Sequence, residues 1–201
     1  MEDIILEKII ELNESEKGLL SQVEGNYFPW YYYNITQNYM IYSHNLIIRI
    51  EYEDSKDFNP EHTSLLKNLF SSEVDNFKNF DHTKGRDNSE YAGAFKKLFY
   101  RICEENDIAV NNICRMAINA SHYDKTKYTD IHIDHSFKHK VFLMYLNDFD
   151  AGETYLFDED DNIIYTIQPQ KYKAVIFNGI KHANSFCLPG QKRLVFVATF
   201  F

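Results

Sequence analysis

Two stretches of this 201-residue chain carry side chains that could hold a metal ion. In the run Ile131-His132-Ile133-Asp134-His135 apolar and polar residues alternate, and on a β-strand side chains two apart point the same way. His132 and Asp134 would then offer an imidazole and a carboxylate from one face, with Ile131 and Ile133 on the other. A third ligand has to come from a facing strand. His182 is the candidate, because no other histidine follows His139, although its polar surroundings suit a surface histidine too. Two histidines and one carboxylate on one side of an ion leave its other positions open, which is the ligand set of mononuclear non-haem Fe(II) sites. A second triplet, His122-Tyr123-Asp124, runs into the turn-like Asp124-Lys125-Thr126-Lys127 and lacks the alternation. The later triplet is therefore preferred.

Such a site needs strands to position it. From Val110 to Phe201 strand-like runs alternate with short polar turns, and this half reads as the core of a mainly β fold. Residues 1–109 read as support. Ile4, Ile5, Ile9 and Leu12 predict a helix over residues 3–12, and residues 15–24 a second short helix before Gly25. The aromatic and isoleucine-rich residues 26–52 predict two or three strands, with Pro29 confining the first to an edge or a bend. Phe28, Trp30, Tyr31, Tyr32 and Tyr33 could line the mouth of a substrate pocket, although core packing is the commoner fate of such rings. Asn59-Pro60 opens a predicted helix bearing Leu65, Leu66, Leu69, Phe70 and Val74. Residues 79–90 predict an exposed loop, and Ser89 to Glu105 a helix with Phe95, Leu98, Phe99 and Ile102 on one face. These helices should cover the outside of the sheet, within a single domain spanning residues 1–201.

Composition narrows the partners. A hydrophobic content of 44% and an aromatic content of 16% support a substantial core. A formal charge of −9 offers no footprint for a nucleic-acid backbone. Cys103, Cys114 and Cys187 lack zinc or disulfide spacing and read as free thiols in a reducing compartment. No segment is long and apolar enough to span a bilayer, so the expected location is the cytoplasm, or a host's cytoplasm if the chain is phage-encoded.

Several motifs, in order and spacing, resemble the 2-oxoglutarate- and Fe(II)-dependent oxygenases, in particular the prolyl-4-hydroxylase-like branch with its short phage and marine-bacterial members. They are YDKTKYTDIHID at 123–134, Tyr145-Leu146-Asn147, Gly152-Glu153-Thr154, PQKYKAVIF at 169–177, His182 and Arg193, and they cover about residues 113–201. The resemblance implies a double-stranded β-helix, a jelly roll of two facing sheets with flanking helices. It implies Fe(II) held by His132, Asp134 and His182, with 2-oxoglutarate and O2 as co-substrates and ascorbate as an optional reductant. The sequence departs from the family pattern in three places. Tyr172 stands where many members have glycine, Ala151 replaces one glycine of a GGET motif, and two residues rather than one separate Gly190 from Arg193.

The same resemblance calls for a buried cation to grip the distal carboxylate of 2-oxoglutarate, a task suited to the planar fork of arginine. Lys192 and Arg193 compete, being neighbours on opposite faces of the last predicted strand. An inward Arg193 brings Val195, Val197 and Thr199 with it, whereas an inward Lys192 brings the bulkier Leu194, Phe196 and Phe200, so Arg193 is preferred. Tyr145 matches the family tyrosine that assists at this carboxylate, and Tyr123, Asn119 and Arg115 are further pocket candidates. The implied activity is hydroxylation of a C–H bond, of a prolyl or other amino-acid residue in a peptide or amino-acid substrate. Asp134 argues against a halogenase, in which halide takes the carboxylate position. Two other readings remain open: a non-catalytic jelly-roll module of a binding or viral structural kind, and a cupin-like metalloenzyme that does not use 2-oxoglutarate.

Overall fold

The computed structural model describes residues 3–25, 27–33, 41–49 and 85–201. The helix expected from Asn59-Pro60 lies outside them. The elements in chain order are β1 (Ile4–Ile9), α1 (Glu14–Glu24), β2 (Tyr31–Tyr33), β3 (Ile41–Arg49), β4 (Gly85–Asp87), α2 (Ala92–Glu104), β5 (Ile113–His122), β6 (Lys140–Tyr145), β7 (Thr154–Phe157), β8 (Ile163–Ile167), β9 (Lys173–Asn178), β10 (His182–Asn184) and β11 (Lys192–Phe200). An antiparallel major sheet runs β1-β9-β6-β11-β5-β3-β2, with β4 also paired to β3, and a minor sheet runs β10-β7-β8. Among the described residues, two antiparallel sheets with two flanking helices make the double-stranded β-helix expected from the sequence. Among the described residues no helix is long and apolar enough to cross a membrane.

Strand alternation sorts the major sheet into two faces. Phe142 and Met144 of β6, Ala174 and Ile176 of β9, and Leu194, Phe196, Ala198 and Phe200 of β11 join the buried cluster under the helices. Their neighbours Val141, Leu143, Tyr145, Val175, Phe177 and Val195 form a second cluster facing the minor sheet. Helix α2 drives Phe95, Leu98, Phe99 and Ile102 into the first cluster, as its periodicity predicts. The Phe99 ring lies 5.3 Å from that of Phe142 and 5.1 Å from that of Phe200. Asn13 and Glu16 cap α1 reciprocally, satisfying backbone donors that the first turn leaves unpaired. Arg101 of α2 then donates to Glu16 at 2.7 Å and to the Glu11 carbonyl at 3.1 Å, tying the two helices together.

Three local expectations are corrected. Residues 4–9 form an edge strand on β9 rather than part of a helix. The isoleucines there are β-branched, and pairing with β9 gives their backbone a ladder that a short isolated helix lacks. Gly85–Asp87, expected within a loop, forms β4 against β3. A Cβ on Gly85 would lie 2.5 Å from the Cys114 carbonyl oxygen, so glycine here marks close backbone approach rather than a loop. Finally, Phe28 is buried and Trp30 packs against the helix-side cluster, their rings 4.9 Å apart, so neither lines the pocket. The side chains of Tyr31, Tyr32 and Tyr33 lie outside the described structure.

Candidate metal centre and co-substrate pocket

His132, Asp134 and His182 converge, with one ligand atom of each within 4.8 Å of the others. The means of convergence differs from the expected strand alternation. The 131–135 segment is not a regular strand, and Ile133 is 44% exposed rather than packed on an apolar face. Instead His132 forms an isolated antiparallel bridge with His182, each backbone N–H donating to the other's carbonyl at 3.1 and 2.9 Å. That bridge brings the two imidazole centroids to 4.5 Å. The minor sheet is thus extended by one pair at the point where the ligands are needed.

The hydrogen bonds orient both rings. His132 Nδ1 lies 2.9 Å from the Asp130 carbonyl and His182 Nδ1 lies 2.9 Å from the Ile180 carbonyl. A carbonyl only accepts, so each Nδ1 carries the proton and each Nε2 keeps a lone pair for a metal. Burial pushes the His182 imidazole below its ordinary value against the pull of Asp134, favouring the neutral ligand form. Burial works the other way on the Asp134 carboxyl, but His182, Arg115, His132 and His135 outweigh it and hold the group below the usual carboxylate range. Asp134 lies 3.6 Å from His182 Nε2 and 3.8 Å from Arg115 Nη1. Neutral imidazoles with an ionised carboxylate are the donor set that suits Fe(II).

The three side chains line a cavity of about 630 Å³ between the sheets, and Arg193 lies in its wall. Arg193 is 3% exposed. Its Nε donates to the Gly152 carbonyl and its Nη2 to Thr154 Oγ1, both at 3.0 Å, and the guanidinium lies 5.5 Å from the Tyr145 ring centre. Among the described residues no carboxylate pairs with it. Burial lowers its pKa, the mark of a cation that lacks the counter-charge normally found beside a buried arginine. Val195, Val197 and Thr199 share its face of β11 and line the same cavity. Lys192 lies on the opposite face and does not line it.

The other sequence candidates divide. Asn119 and Arg115 of β5 line the cavity. Tyr123 does not: β5 ends at His122, and the Tyr123 side chain is 49% exposed. Tyr145 is fully buried, but its hydroxyl meets Thr154 Oγ1 at 3.0 Å, so it stands behind the wall while Thr154 forms it. Thr154, bridging Arg193 and Tyr145, is visible in the sequence only as the last residue of Gly152-Glu153-Thr154. The earlier triplet leaves the sheet: His122 ends β5, and Asp124 opens the following bend, its Oδ1 accepting from the backbone and hydroxyl of Thr126 at 2.8 and 2.9 Å. Ala151 and Tyr172 both adopt positive φ, 58° and 66°. Two of the departures from the family pattern thus occupy backbone positions that favour glycine. Gly152 follows at φ 74°, where a Cβ would lie 2.6 Å from the Phe149 ring.

No family model matches the chain, and no curated protein matches it. Solved structures do. A 2OG-Fe(II) oxygenase family oxidoreductase from Burkholderia pseudomallei aligns over 90% of this chain and 77% of its own at 13% identity and a TM-score of 0.53. A prolyl-4-hydroxylase from Pseudomonas putida aligns over 100% and 92% at 12% identity and a TM-score of 0.52. IDO from Bacillus thuringiensis aligns over 97% and 91% at 15% identity and a TM-score of 0.50. The chain therefore has the double-stranded β-helix fold of the 2-oxoglutarate- and Fe(II)-dependent oxygenases, with a His-Asp-His cluster in the cavity between its sheets.

Proposed function

We propose that this protein is an Fe(II)- and 2-oxoglutarate-dependent dioxygenase that hydroxylates a C–H bond of an amino-acid side chain, with prolyl first among the candidates. The observation that carries the reading is the pairing, in one cavity, of the His-Asp-His cluster with a buried arginine that has no carboxylate partner among the described residues. When bound, Fe(II) with 2-oxoglutarate and O2 supplies an oxidant that converts R–H to R–OH, releasing succinate and CO2.

The chain's own residues have separable tasks in this reading. His132, Asp134 and His182 hold the iron on one side and leave the other open. Arg193 grips the distal carboxylate of 2-oxoglutarate, with its fork fixed by Gly152 and Thr154 and its position supported by Tyr145. Asn119 adds a polar group to the same wall. Val141, Leu143, Phe177 and Val195 exclude water from the space between them. The chain is read as one oxygenase domain, since both halves supply strands to the major sheet. The likeness to the Pseudomonas putida prolyl-4-hydroxylase puts prolyl first, and the acidic chain favours an amino-acid or peptide substrate over a polyanion.

The test is to incubate the protein with Fe(II), 2-oxoglutarate and ascorbate, together with proline-containing peptides, free amino acids or alkylated oligonucleotides. Succinate release coupled to a one-oxygen mass gain on a peptide or amino acid is expected. Oxygen insertion only into a metabolite of another class, or demethylation of the oligonucleotide, rejects the substrate reading. Absence of any Fe(II)-dependent succinate formation rejects the oxygenase.

A further inference from the structure

The cavity holds a second arginine that the roles above leave unused. Arg115 of β5 lies opposite Thr199 in the ladder with β11, whereas Arg193 lies opposite Ser121. Six residues of β11 separate the two positions, roughly 20 Å at the rise of an extended strand. Both side chains nonetheless line the same cavity, with the His-Asp-His cluster beside the Arg115 end. Arg115 is 35% exposed, and its nearest carboxylate is that of Asp134 at 3.8 Å, too far for a hydrogen bond. Among the described residues its guanidinium makes none.

The donors of Arg115 make this arrangement informative. Its guanidinium is close enough to Asp134 to feel that charge but hydrogen-bonds to none of the described residues, and Asp134 would itself be committed to Fe(II) as a ligand. Asp130, the other acid of the lining, is exposed. Next to Arg115 the wall turns apolar: Val197 of β11 with Val141 and Leu143 of β6 present aliphatic surface.

We propose that Arg115 is the anchor for a carboxylate on the primary substrate. The substrate is then a small free acid with an aliphatic body, of which a free α-amino acid is the natural class, rather than an internal residue of a peptide. This inference rests on the oxygenase reading and narrows its substrate. An arginine fork takes a carboxylate through two parallel N–H donors, and a fixed anchor at one end of a short acid leaves its aliphatic carbons beside the metal cluster.

The test uses the full chain loaded with Ni(II) and 2-oxoglutarate, so that no turnover intervenes, and titrates the twenty free L-amino acids and their amides by calorimetry. At least one acid should bind about tenfold to a hundredfold more tightly than its amide, the range expected for a hydrogen-bonded charge. In Arg115→Ala that preference should disappear while Ni(II) and 2-oxoglutarate still bind as in the wild type, and Arg115→Lys should restore part of it. Equal binding of acid and amide, no acid binding at all, or a preference that survives in Arg115→Ala overturns the inference. So does a loss of Ni(II) affinity in Arg115→Ala in step with the loss of substrate, which would mark Arg115 as a positioning residue for Asp134. Failure of the wild type to bind 2-oxoglutarate sinks the oxygenase reading as well, and the same titrations report it separately.

Discussion

Replacing Arg193 with methionine separates a structural arginine from one kept for a ligand. The substitution removes two charge-assisted hydrogen bonds, to the Gly152 carbonyl and to Thr154, each worth about 1.5–3 kcal/mol. It also relieves the burial of a cation that is 3% exposed and has no carboxylate beside it among the described residues, a penalty of several kcal/mol. The two effects oppose each other, so the stability of the ligand-free protein should change by no more than about 2 kcal/mol in either direction. The ligand should respond very differently. A carboxylate left in the cavity without its partner costs about 3–5 kcal/mol, or about 150-fold to 5,000-fold in the dissociation constant of 2-oxoglutarate. Denaturant melts of the ligand-free variant and anaerobic titration of its Ni(II) form with 2-oxoglutarate measure the two quantities, with Lys192→Met as the control on the opposite face. An Arg193→Met protein that binds 2-oxoglutarate within tenfold of the wild type refutes the assignment. One that fails to fold without ligand shows instead that the guanidinium is structural.

Other parts of the account are open to measurement. Phe99→Ala empties a fully buried site between Phe142 and Phe200 and should cost about 3–5 kcal/mol in denaturant unfolding; a loss below about 1 kcal/mol would mean that the helix does not pack as described. Ala151→Gly relieves a side chain at φ 58° and should stabilise the protein by up to about 1 kcal/mol, the left-handed penalty less the added freedom of the unfolded chain. A destabilised Ala151→Gly protein would contradict that balance. Burial holds His182 below the ordinary imidazole value of 6.5, so the unfolded chain protonates first as the pH falls. Its contribution to metal-free stability is therefore full above pH 6.5 and is lost as the pH drops through the folded value. His182→Gln should flatten the pH dependence of the melting temperature below that point, and an unchanged slope refutes the linkage.

The sequence exposed the chemistry more fully than the local structure that delivers it. Arg193 rather than Lys192 could be chosen because β11 alternates strictly and the two possible inner faces differ in bulk. The helix-side core could be read from the 3.6-residue period of Phe95, Leu98, Phe99 and Ile102. The route to the cluster is not legible, because alternation around His132 resembles a strand whereas the structure uses a single bridge to His182. Nothing local in the sequence signals a one-pair ladder between residues 50 apart. Residues 4–9 behave likewise: Ile4, Ile5 and Ile9 are spaced as a helix face, and what overrides that spacing is the open edge of β9, a partner distant in sequence. A lone threonine such as Thr154 carries no pattern in the sequence. Its role follows only from the approach of β7 to β11, which sets its hydroxyl between Arg193 and Tyr145.

The most direct test of the central claim is iron stoichiometry in the purified protein after anaerobic reconstitution with Fe(II) and 2-oxoglutarate, for the wild type and for Asp134→Ala. The account expects about one tightly held Fe(II) per chain in the wild type, with a visible charge-transfer band when 2-oxoglutarate is added, and loss of both in Asp134→Ala, as for a facial site deprived of its only carboxylate. Equal iron content in the two proteins, or a wild type that retains none, would contradict it.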